Sequence, residues 1–195
     1  MADPSKQQQM DALSADIVAN DVCPELASTA QRLVMGDGNL DAEIIFIGEA
    51  PGKKEDETGL PFVGASGKFL DEMLTSVNLT RQDVYITSIV KYRPPKNRDP
   101  KPAEKAAFWP YQLRQLEIIQ PKVVVTLGKH SLGYFLPGAK IAEVHGQASR
   151  VTIDDLELIV IPLFHPAAAL YRRSLRETLL ADFLKVPELI TQLHA

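Results

Sequence analysis

Two short segments that lie far apart in the chain carry side chains suited to acid–base and hydrogen-bond chemistry. Glu49 lies in the segment Gly-Glu-Ala-Pro-Gly at residues 48–52, and His165 begins the segment His-Pro-Ala-Ala. Each segment follows a short apolar run, residues 44–47 and residues 158–163, of the kind that forms buried strands of a parallel sheet. Because ligands bind beyond the carboxyl ends of such strands, the sequence predicts that Glu49 and His165 face one pocket.

The first segment also predicts a ligand-binding turn. Proline and two glycines within residues 48–52 favour a sharp turn whose backbone N–H groups can approach a ligand closely. Taken alone, each side chain also fits a structural role: Glu49 as a solvated turn residue, Phe62 as a core aromatic and His165 as a structural histidine. The combination of all three favours an active site.

The elements that must position these segments alternate between strand and helix. Apolar runs predict strands at residues 44–48, 84–90, 123–127 and 158–163, a pairing strand at residues 150–153, and a long loop from the first strand through residue 62. Helical spacing predicts helices near residues 10–20, 65–78, 102–119, 129–135 and 175–193. This order is typical of an α/β fold with three αβα layers and a central four-stranded parallel sheet. We expect a single domain over residues 1–195, with residues 1–22 as an N-terminal helical extension packed on it.

Composition excludes several classes of protein. The chain has 195 residues, of which 45% are hydrophobic and 24% charged, as in ordinary globular domains. No apolar stretch approaches the roughly 20 residues that span a bilayer, and the first residues lack the pattern of a secretory signal. The lone cysteine, Cys23, is compatible with a reducing cytoplasm and excludes a disulfide framework. We therefore expect a cytoplasmic protein without a membrane partner.

Positive charge is concentrated in two places despite the net charge of −4. The first basic cluster comprises Lys91, Arg93, Lys96, Arg98 and Lys101. The second follows the histidine segment and comprises Arg172, Arg173 and Arg176. Solvated loop charge would explain one such cluster. Two clusters that each adjoin a candidate catalytic loop favour contact with the phosphates of a nucleic acid.

Several segments, in order and at the right spacing, carry a resemblance to a known family. Besides the two segments described above, they are residues 59–64 (Gly-Leu-Pro-Phe-Val-Gly), residues 91–100 (Lys-Tyr-Arg-Pro-Pro-Lys-Asn-Arg-Asp-Pro) and residues 121–128 (Pro-Lys-Val-Val-Val-Thr-Leu-Gly). From residue 23 to the C-terminal helix, the chain resembles the uracil-DNA glycosylase superfamily and, within it, the family 4 enzymes. The fold that this resemblance implies, a four-stranded parallel sheet flanked by helices, agrees with the pattern of elements.

The resemblance implies a hydrolase that flips a deaminated base, uracil above all, out of DNA and cleaves its N-glycosidic bond, initiating base-excision repair. His165 occupies the position of the residue that donates a hydrogen bond to uracil O2, and Glu49 that of the acid that orients water or offsets the charge of the sugar. The residues implied to hold the base are Gly48, Gly52, Phe62, Ser88 and Asn97. Those implied to contact DNA are Lys91, Arg93, Lys96, Arg98, Leu170, Tyr171, Arg172 and Arg173. The implied protein is a monomer in a prokaryotic cytoplasm, associated with the nucleoid through DNA.

The chain departs from family 4 at the iron–sulfur cluster. Such a cluster is held by four cysteine thiolates. Cys23 falls at one of the four positions, but Asn20, Tyr92 and Phe108 stand at the other three. We predict that the cluster is absent, that no other metal replaces it, and that the aromatic rings fill its volume.

A second departure concerns specificity. Ser88 stands where family 4 has an asparagine that reads the polar edge of uracil. A hydroxyl offers one donor and one acceptor where an amide offers more. Uracil with weaker discrimination against cytosine, and another deaminated base, are both compatible with serine.

Three functions from different classes stay open at this point. The first is a monofunctional DNA glycosylase. The second is a catalytically weak protein of the same fold that binds uracil-containing or abasic DNA. The third, an unrelated α/β hydrolase or nucleotide-binding protein, lacks support because the sequence has neither a Gly-x-Ser-x-Gly elbow nor a phosphate-binding loop.

Overall fold

The chain alternates between strands and helices in a computed structural model, which describes residues 4–194. The strands are β1 Asp37–Gly38, β2 Ile44–Gly48, β3 Tyr85–Ser88, β4 Val123–Leu127, β5 Ser149–Ile153 and β6 Leu156–Leu163. The helices are α1 Lys6–Ala19, α2 Pro24–Ala27, α3 Lys53–Thr58, α4 Ala65–Ser76, α5 Pro102–Ile119, α6 Lys129–Phe135, α7 Ile141–Val144, α8 Pro166–Ala169, α9 Arg173–Leu184 and α10 Val186–His194. A short 3-10 turn, Pro95–Asn97, lies between β3 and α5. None of these helices is long and apolar enough to cross a membrane.

The strands form one six-stranded sheet in the order β1-β3-β2-β4-β6-β5. Its four inner strands, β3, β2, β4 and β6, run parallel, as predicted. The predicted pairing strand is β5, which runs antiparallel to β6 at one edge. The other edge strand, β1, was not predicted, because its two residues, an aspartate and a glycine, carry no apolar pattern.

Each face of the sheet covers its own apolar cluster, so the architecture has three αβα layers. Along β2, Ile45 and Ile47 pack into the cluster that contains α1 and α5. Phe46, which points to the opposite face, packs with residues of α4 and α9. Helix α1 buries Met10, Leu13 and Ile17, and it contacts α5. The N-terminal segment is thus packed on the sheet domain from residue 6. Residues 1–3 of the predicted extension, and residue 195, lie outside the described residues.

Two of the predicted segments have a different secondary structure, and the short helices α2, α7 and α8 were not predicted. Residues 53–58, predicted as part of a long loop, form α3, which begins directly after the turn that carries Glu49. The predicted C-terminal helix over residues 175–193 is two helices, α9 and α10, which meet at Lys185. Pro187 explains this break, because its ring nitrogen cannot donate the hydrogen bond that would continue α9.

Candidate active site

A cavity of about 450 Å³ opens beyond the carboxyl ends of β2, β3 and β6. Glu49, Phe62, Ser88, Asn97 and His165 all line it. Gly52 also lines the cavity, and Gly48 lies beside it at the end of β2, opposite Ser88 in the β2–β3 register. The structure therefore brings together all the residues that the sequence assigned to catalysis and to base binding.

The turn that carries Glu49 is fixed by a second carboxylate, that of Glu55. The Glu55 side chain accepts hydrogen bonds from the backbone N–H of Gly52 at 3.1 Å and from those of Val63 and Gly64 at 2.9 Å each. Glu55 is buried, so these bonds form away from competing water. One side chain thus locks the 48–52 turn to the loop that presents Phe62.

Phe62 is held in an unusual backbone conformation. Its φ angle is +52°, in the left-handed region that non-glycine residues rarely adopt. Arg81 donates hydrogen bonds to the carbonyl oxygens of Pro61 and Phe62. Helix α4 approaches the same carbonyl so closely that a Cβ at Gly67 would lie 1.7 Å from the Phe62 oxygen. The ring position is therefore determined by Arg81 and Gly67, which sequence reasoning missed because neither carries a recognisable chemical motif.

His165 is held in one neutral tautomer. The backbone N–H of Ala167 donates to its Nδ1 at 3.1 Å, so Nδ1 must be the acceptor and Nε2 carries the proton. Burial, together with the nearby His130, lowers the pKa of His165 to about 4. The ring lies 5.7 Å from that of Phe62, at 26° to it. His165 is thus a neutral N–H donor beside an aromatic wall.

Glu49 is a carboxylic acid with an altered proton affinity. Its side chain is 25% exposed, and burial, followed by the neighbouring charge of Asp99, raises its pKa to about 7. Lys129 and Lys105 oppose this shift. Such a group exchanges protons near neutral pH, which suits a general base. This environment could not be predicted from the sequence, because its charged residues belong to different elements.

Ser88 and Asn97 reach the cavity from two sides. Ser88 ends β3 and is buried, and its hydroxyl faces Gly48. Asn97 belongs to the 3-10 turn, where its φ angle is +54°. Its amide oxygen accepts a hydrogen bond from Arg93 Nε at 2.7 Å, which leaves the amide N–H groups for other partners.

Comparison with known proteins decides the family. The family model of the uracil DNA glycosylase superfamily matches residues 35–186. The chain belongs to this superfamily. Over 187 residues it is 44% identical to the type-4 uracil-DNA glycosylase of Archaeoglobus fulgidus, covering 93% of this chain and 94% of that protein. Over 162 residues it is 48% identical to the type-4 enzyme of Sulfurisphaera tokodaii, covering 80% and 74%. Over 192 residues it is 40% identical to that of Thermotoga maritima, covering 95% and 97%. The superfamily predicted from the motifs is confirmed.

In this member of the superfamily, one residue predicted to contact DNA does not. Lys91 is fully buried. Its ammonium group lies within hydrogen-bond distance of four oxygens, those of the Thr87 hydroxyl, the Ser88 carbonyl and the Gln112 and Gln115 amides, at 2.5–2.9 Å. The prediction that Lys91 binds DNA is wrong, because the side chain points into the protein. It instead links α5 to the end of β3 behind Ser88.

The other residues predicted to bind DNA differ in how far their side chains are exposed to solvent. Arg93 and Arg98 are partly exposed and engage carboxylates: Arg93 lies 3.8 Å from Asp56, and Arg98 forms two hydrogen bonds with Glu104. The remaining five are exposed, namely Lys96, Leu170, Tyr171, Arg172 and Arg173. In sequence, these residues adjoin two parts of the cavity wall. Lys96 and Arg98 belong to the segment around residues 97–99, which lines one side, and residues 170–173 follow the segment 165–168, which lines another.

The four positions that the resemblance implied for iron–sulfur ligands have other surroundings in the structure. Phe108 is fully buried, and its ring packs edge-on against Tyr92 with centroids 5.9 Å apart. Asn20 is exposed and hydrogen-bonds to Asp16 of its own helix. Burial, with Glu104 and Glu25 nearby, raises the pKa of Cys23 to about 11, so its sulfur is a thiol. One protonated cysteine among these residues does not fit a group that needs four thiolates.

Proposed function

We propose that the protein is a monofunctional uracil-DNA glycosylase that starts base-excision repair. It flips uracil out of DNA into the cavity and hydrolyses the N-glycosidic bond. One observation carries this proposal: the neutral N–H donor of His165, the Glu49 carboxyl and the Phe62 ring converge on a single cavity of about 450 Å³. Membership of the superfamily and the similarity to the type-4 enzymes support it.

The chemistry follows from the states of the two side chains. As the bond between sugar C1′ and uracil N1 breaks, its electron pair leaves with the base and negative charge gathers on uracil O2. His165 donates its Nε2–H to that oxygen, and a preorganised donor of this kind contributes about 3 kcal/mol to the transition state. Glu49, as a carboxylate, takes a proton from the water whose oxygen adds to C1′. Glu49 then releases this proton to the solvent, the uracil anion takes up a proton from the solvent, and the products are free uracil and an abasic site.

The remaining cavity residues position the base in this proposal. Phe62 stacks on the flipped uracil, Gly48 leaves room for the Phe62 ring, and the backbone at Gly52 faces the edge of the base. Ser88 and Asn97 offer hydrogen-bond partners to its polar groups. Since the Ser88 hydroxyl provides fewer of these than an amide, another deaminated base is a second candidate substrate.

DNA is the partner that the exposed basic residues favour. Lys96 on one side of the cavity, with Arg172 and Arg173 on the other, suits the phosphates that flank a flipped nucleotide. Leu170 and Tyr171, 40% and 88% exposed, suit the gap that the nucleotide leaves in the stack. We further propose that the chain acts as a single-domain monomer on DNA in the cytoplasm of a prokaryote.

The protein works without an iron–sulfur cluster in this proposal. Buried aromatic packing between Tyr92 and Phe108 and a protonated Cys23 support this view. Apolar packing holds the neighbouring segments together, and the reaction proposed above uses no metal.

Base release from uracil-containing oligonucleotides tests the proposed function. Single- and double-stranded substrates are incubated with chelator, and abasic sites are then cleaved with alkali. We expect cleavage by the wild-type protein, and a loss of on the order of a hundredfold in the single-turnover rate of His165→Ala with little change in DNA affinity.

Two controls sharpen this experiment. Lys96→Ala should weaken binding and reduce its salt dependence while the single-turnover rate at saturating protein stays near that of the wild type. If the wild-type protein binds uracil-containing or abasic DNA tightly but releases no uracil base, the alternative of a catalytically weak DNA-binding protein is favoured instead. An unimpaired His165→Ala would remove His165 from the mechanism.

A further inference from the structure

A chain of polar side chains reaches Glu49 from behind the cavity and has no part in the mechanism above. His130 lies at the start of α6, and its Nε2 is 3.0 Å from Asp99 Oδ2 and 3.5 Å from Glu49 Oε2. The side chain of His130 is only 16% exposed. A smaller cavity of about 260 Å³ adjoins these polar side chains, and Glu49, Asp99, His130 and His165 all line it.

The proton of His130 is placed by a neighbouring lysine. Lys105 Nζ lies 3.3 Å from His130 Nδ1. An ammonium group only donates, so Nδ1 is the acceptor and the neutral ring carries its proton on Nε2. That N–H faces the two carboxyl groups of Asp99 and Glu49. Burial lowers the pKa of His130, which keeps the ring neutral.

We propose that His130 is a positioning residue for Glu49: its Nε2–H, held by the hydrogen bond to Asp99 Oδ2 at 3.0 Å, lies 3.5 Å from Glu49 Oε2, where its partial positive charge keeps the carboxylate in its reactive form and orientation. The inference rests on the proposed function, since it concerns the state of the proposed base. A neighbouring N–H group, whose hydrogen carries partial positive charge, favours the charged form of a carboxyl group over the acid. His130 thereby counteracts the effects that make Glu49 hard to ionise.

Several charged groups set the proton affinity of Glu49, and their directions differ. Asp99 raises its pKa, as burial does, while Lys129 of α6 and Lys105 of α5 lower it. His165, on the far side of the smaller cavity, is neutral above its pKa of about 4. Because the carboxylate is the reactive form, the rate of base release should reach its maximum above a pH of about 7 and fall as the pH decreases through that value.

The pH dependence of single-turnover base release tests the role of His130. His130→Leu removes the donor, so the midpoint of the acidic limb should move up by about one unit, a tenfold loss of rate below the midpoint. His130→Gln, whose amide N–H reaches a similar place, should restore most of this loss. Asp99→Asn keeps an acceptor for His130 but removes the charge, so the midpoint should move down.

A matched control separates this role from a structural one. His145→Leu removes another histidine that bonds to an aspartate, Asp182, but not to Glu49. Its midpoint should equal that of the wild type. A His130→Leu protein that loses rate equally at every pH, with an unshifted midpoint, would overturn the proposal.

One measurement is independent of catalysis, and a second distinguishes positioning from metal binding. Carbon-detected NMR titration of the Glu49 carboxyl, in wild type and His130→Leu, reports the same shift even if the wild-type protein releases no uracil. That failure would refute the proposed function alone.

The same three side chains could also hold a metal ion. One carboxylate oxygen each of Glu49 and Asp99 and one ring nitrogen of His130 lie within 4.8 Å of one another, so rates are compared with EDTA and with added Zn²⁺ or Mn²⁺. Rates that depend on metal in the wild type but not in His130→Leu would replace positioning with metal binding.

Discussion

Both histidines near the cavity owe their protonation state to a neighbour that can only donate. The Ala167 N–H fixes His165, and the Lys105 ammonium fixes His130. In each case the remaining nitrogen, Nε2, must carry the proton, and a neutral donor is obtained without a charged imidazole. A neutral donor suits a reaction whose leaving group gains negative charge only in the transition state, because it adds no charge to the empty site.

Ser88 is the residue at which substrate choice is decided, if its hydroxyl reads the base. A site that pairs with a polar edge leaves its own groups unpaired when the wrong base enters, and this mismatch carries the discrimination. Ser88→Asn should therefore sharpen the preference for uracil, and Ser88→Ala should cost activity because a buried partner is lost. Base release from uracil, hypoxanthine, xanthine and mispaired thymine should be measured for all three proteins. Identical profiles would show that backbone groups and shape, and not Ser88, select the base.

At the scale of elements, the end of β2 and the Phe62 loop are packed as closely as a glycine allows. A Cβ at Gly48 would lie 2.6 Å from the Phe62 ring and 3.3 Å from the Ser88 hydroxyl. The φ angle of Gly48 lies outside the left-handed region, so backbone conformation does not require a glycine here. The close approach of the Phe62 ring does. Strand β2 ends in a small residue so that an aromatic ring can lie against its backbone.

Gly48→Ala should displace the Phe62 ring and impair base binding while the fold persists. We expect base release to fall by at least about tenfold and inhibition by free uracil to weaken, at a stability cost of about 1–3 kcal/mol from overpacking. Single-turnover rates, uracil inhibition and thermal unfolding measure these effects.

Gly133→Ala is the matched control for that substitution. Gly133 lies in α6, where an added Cβ meets no atom within 4 Å among the described residues. We expect unchanged base release and a gain of about 0.5–1 kcal/mol from helix propensity. Wild-type activity in Gly48→Ala would show that the position of Phe62 does not limit catalysis.

At the scale of the whole molecule, sequence could predict what depends on local pattern. The inner strands are β-branched runs, and residues at their carboxyl ends must meet at one edge of a parallel sheet. The meeting of Glu49 and His165 in one cavity follows from that rule. The central sheet was therefore predictable, whereas the superfamily was recognised by the resemblance of its motifs.

Features that depend on contacts between distant elements could not be predicted. Lys91 lies among basic residues and suggests a surface cation, but α5 brings Gln112 and Gln115 over it in the interior. His130 carries no motif, and it gains a role only because α6 places it beside Glu49 and Asp99. Such juxtapositions arise from packing, on which sequence spacing has no direct bearing.

The proposal that apolar packing stands in place of an iron–sulfur cluster makes a prediction for the whole protein. Tyr92 and Phe108 belong to the same apolar cluster as residues of α1, and Cys23 packs against that cluster. Stability in this region should therefore depend on ring volume and not on sulfur. Phe108→Ala should cost about 3–5 kcal/mol by leaving a cavity, whereas Cys23→Ala should cost far less because a half-buried thiol makes few contacts.

Iron content and chemical unfolding measure this difference. Protein purified without oxygen from iron-supplemented cells should be colourless, with a substoichiometric molar ratio of iron to protein. The midpoint of its chemical unfolding should not change when a chelator is added. In a protein that needs a cluster, the order of the two variants would be reversed, because loss of a ligand thiolate would release the metal and with it the folding energy of the site. Stoichiometric iron that disappears in Cys23→Ala would contradict the cluster-free protein, since apolar packing of Tyr92 and Phe108 offers iron no ligand.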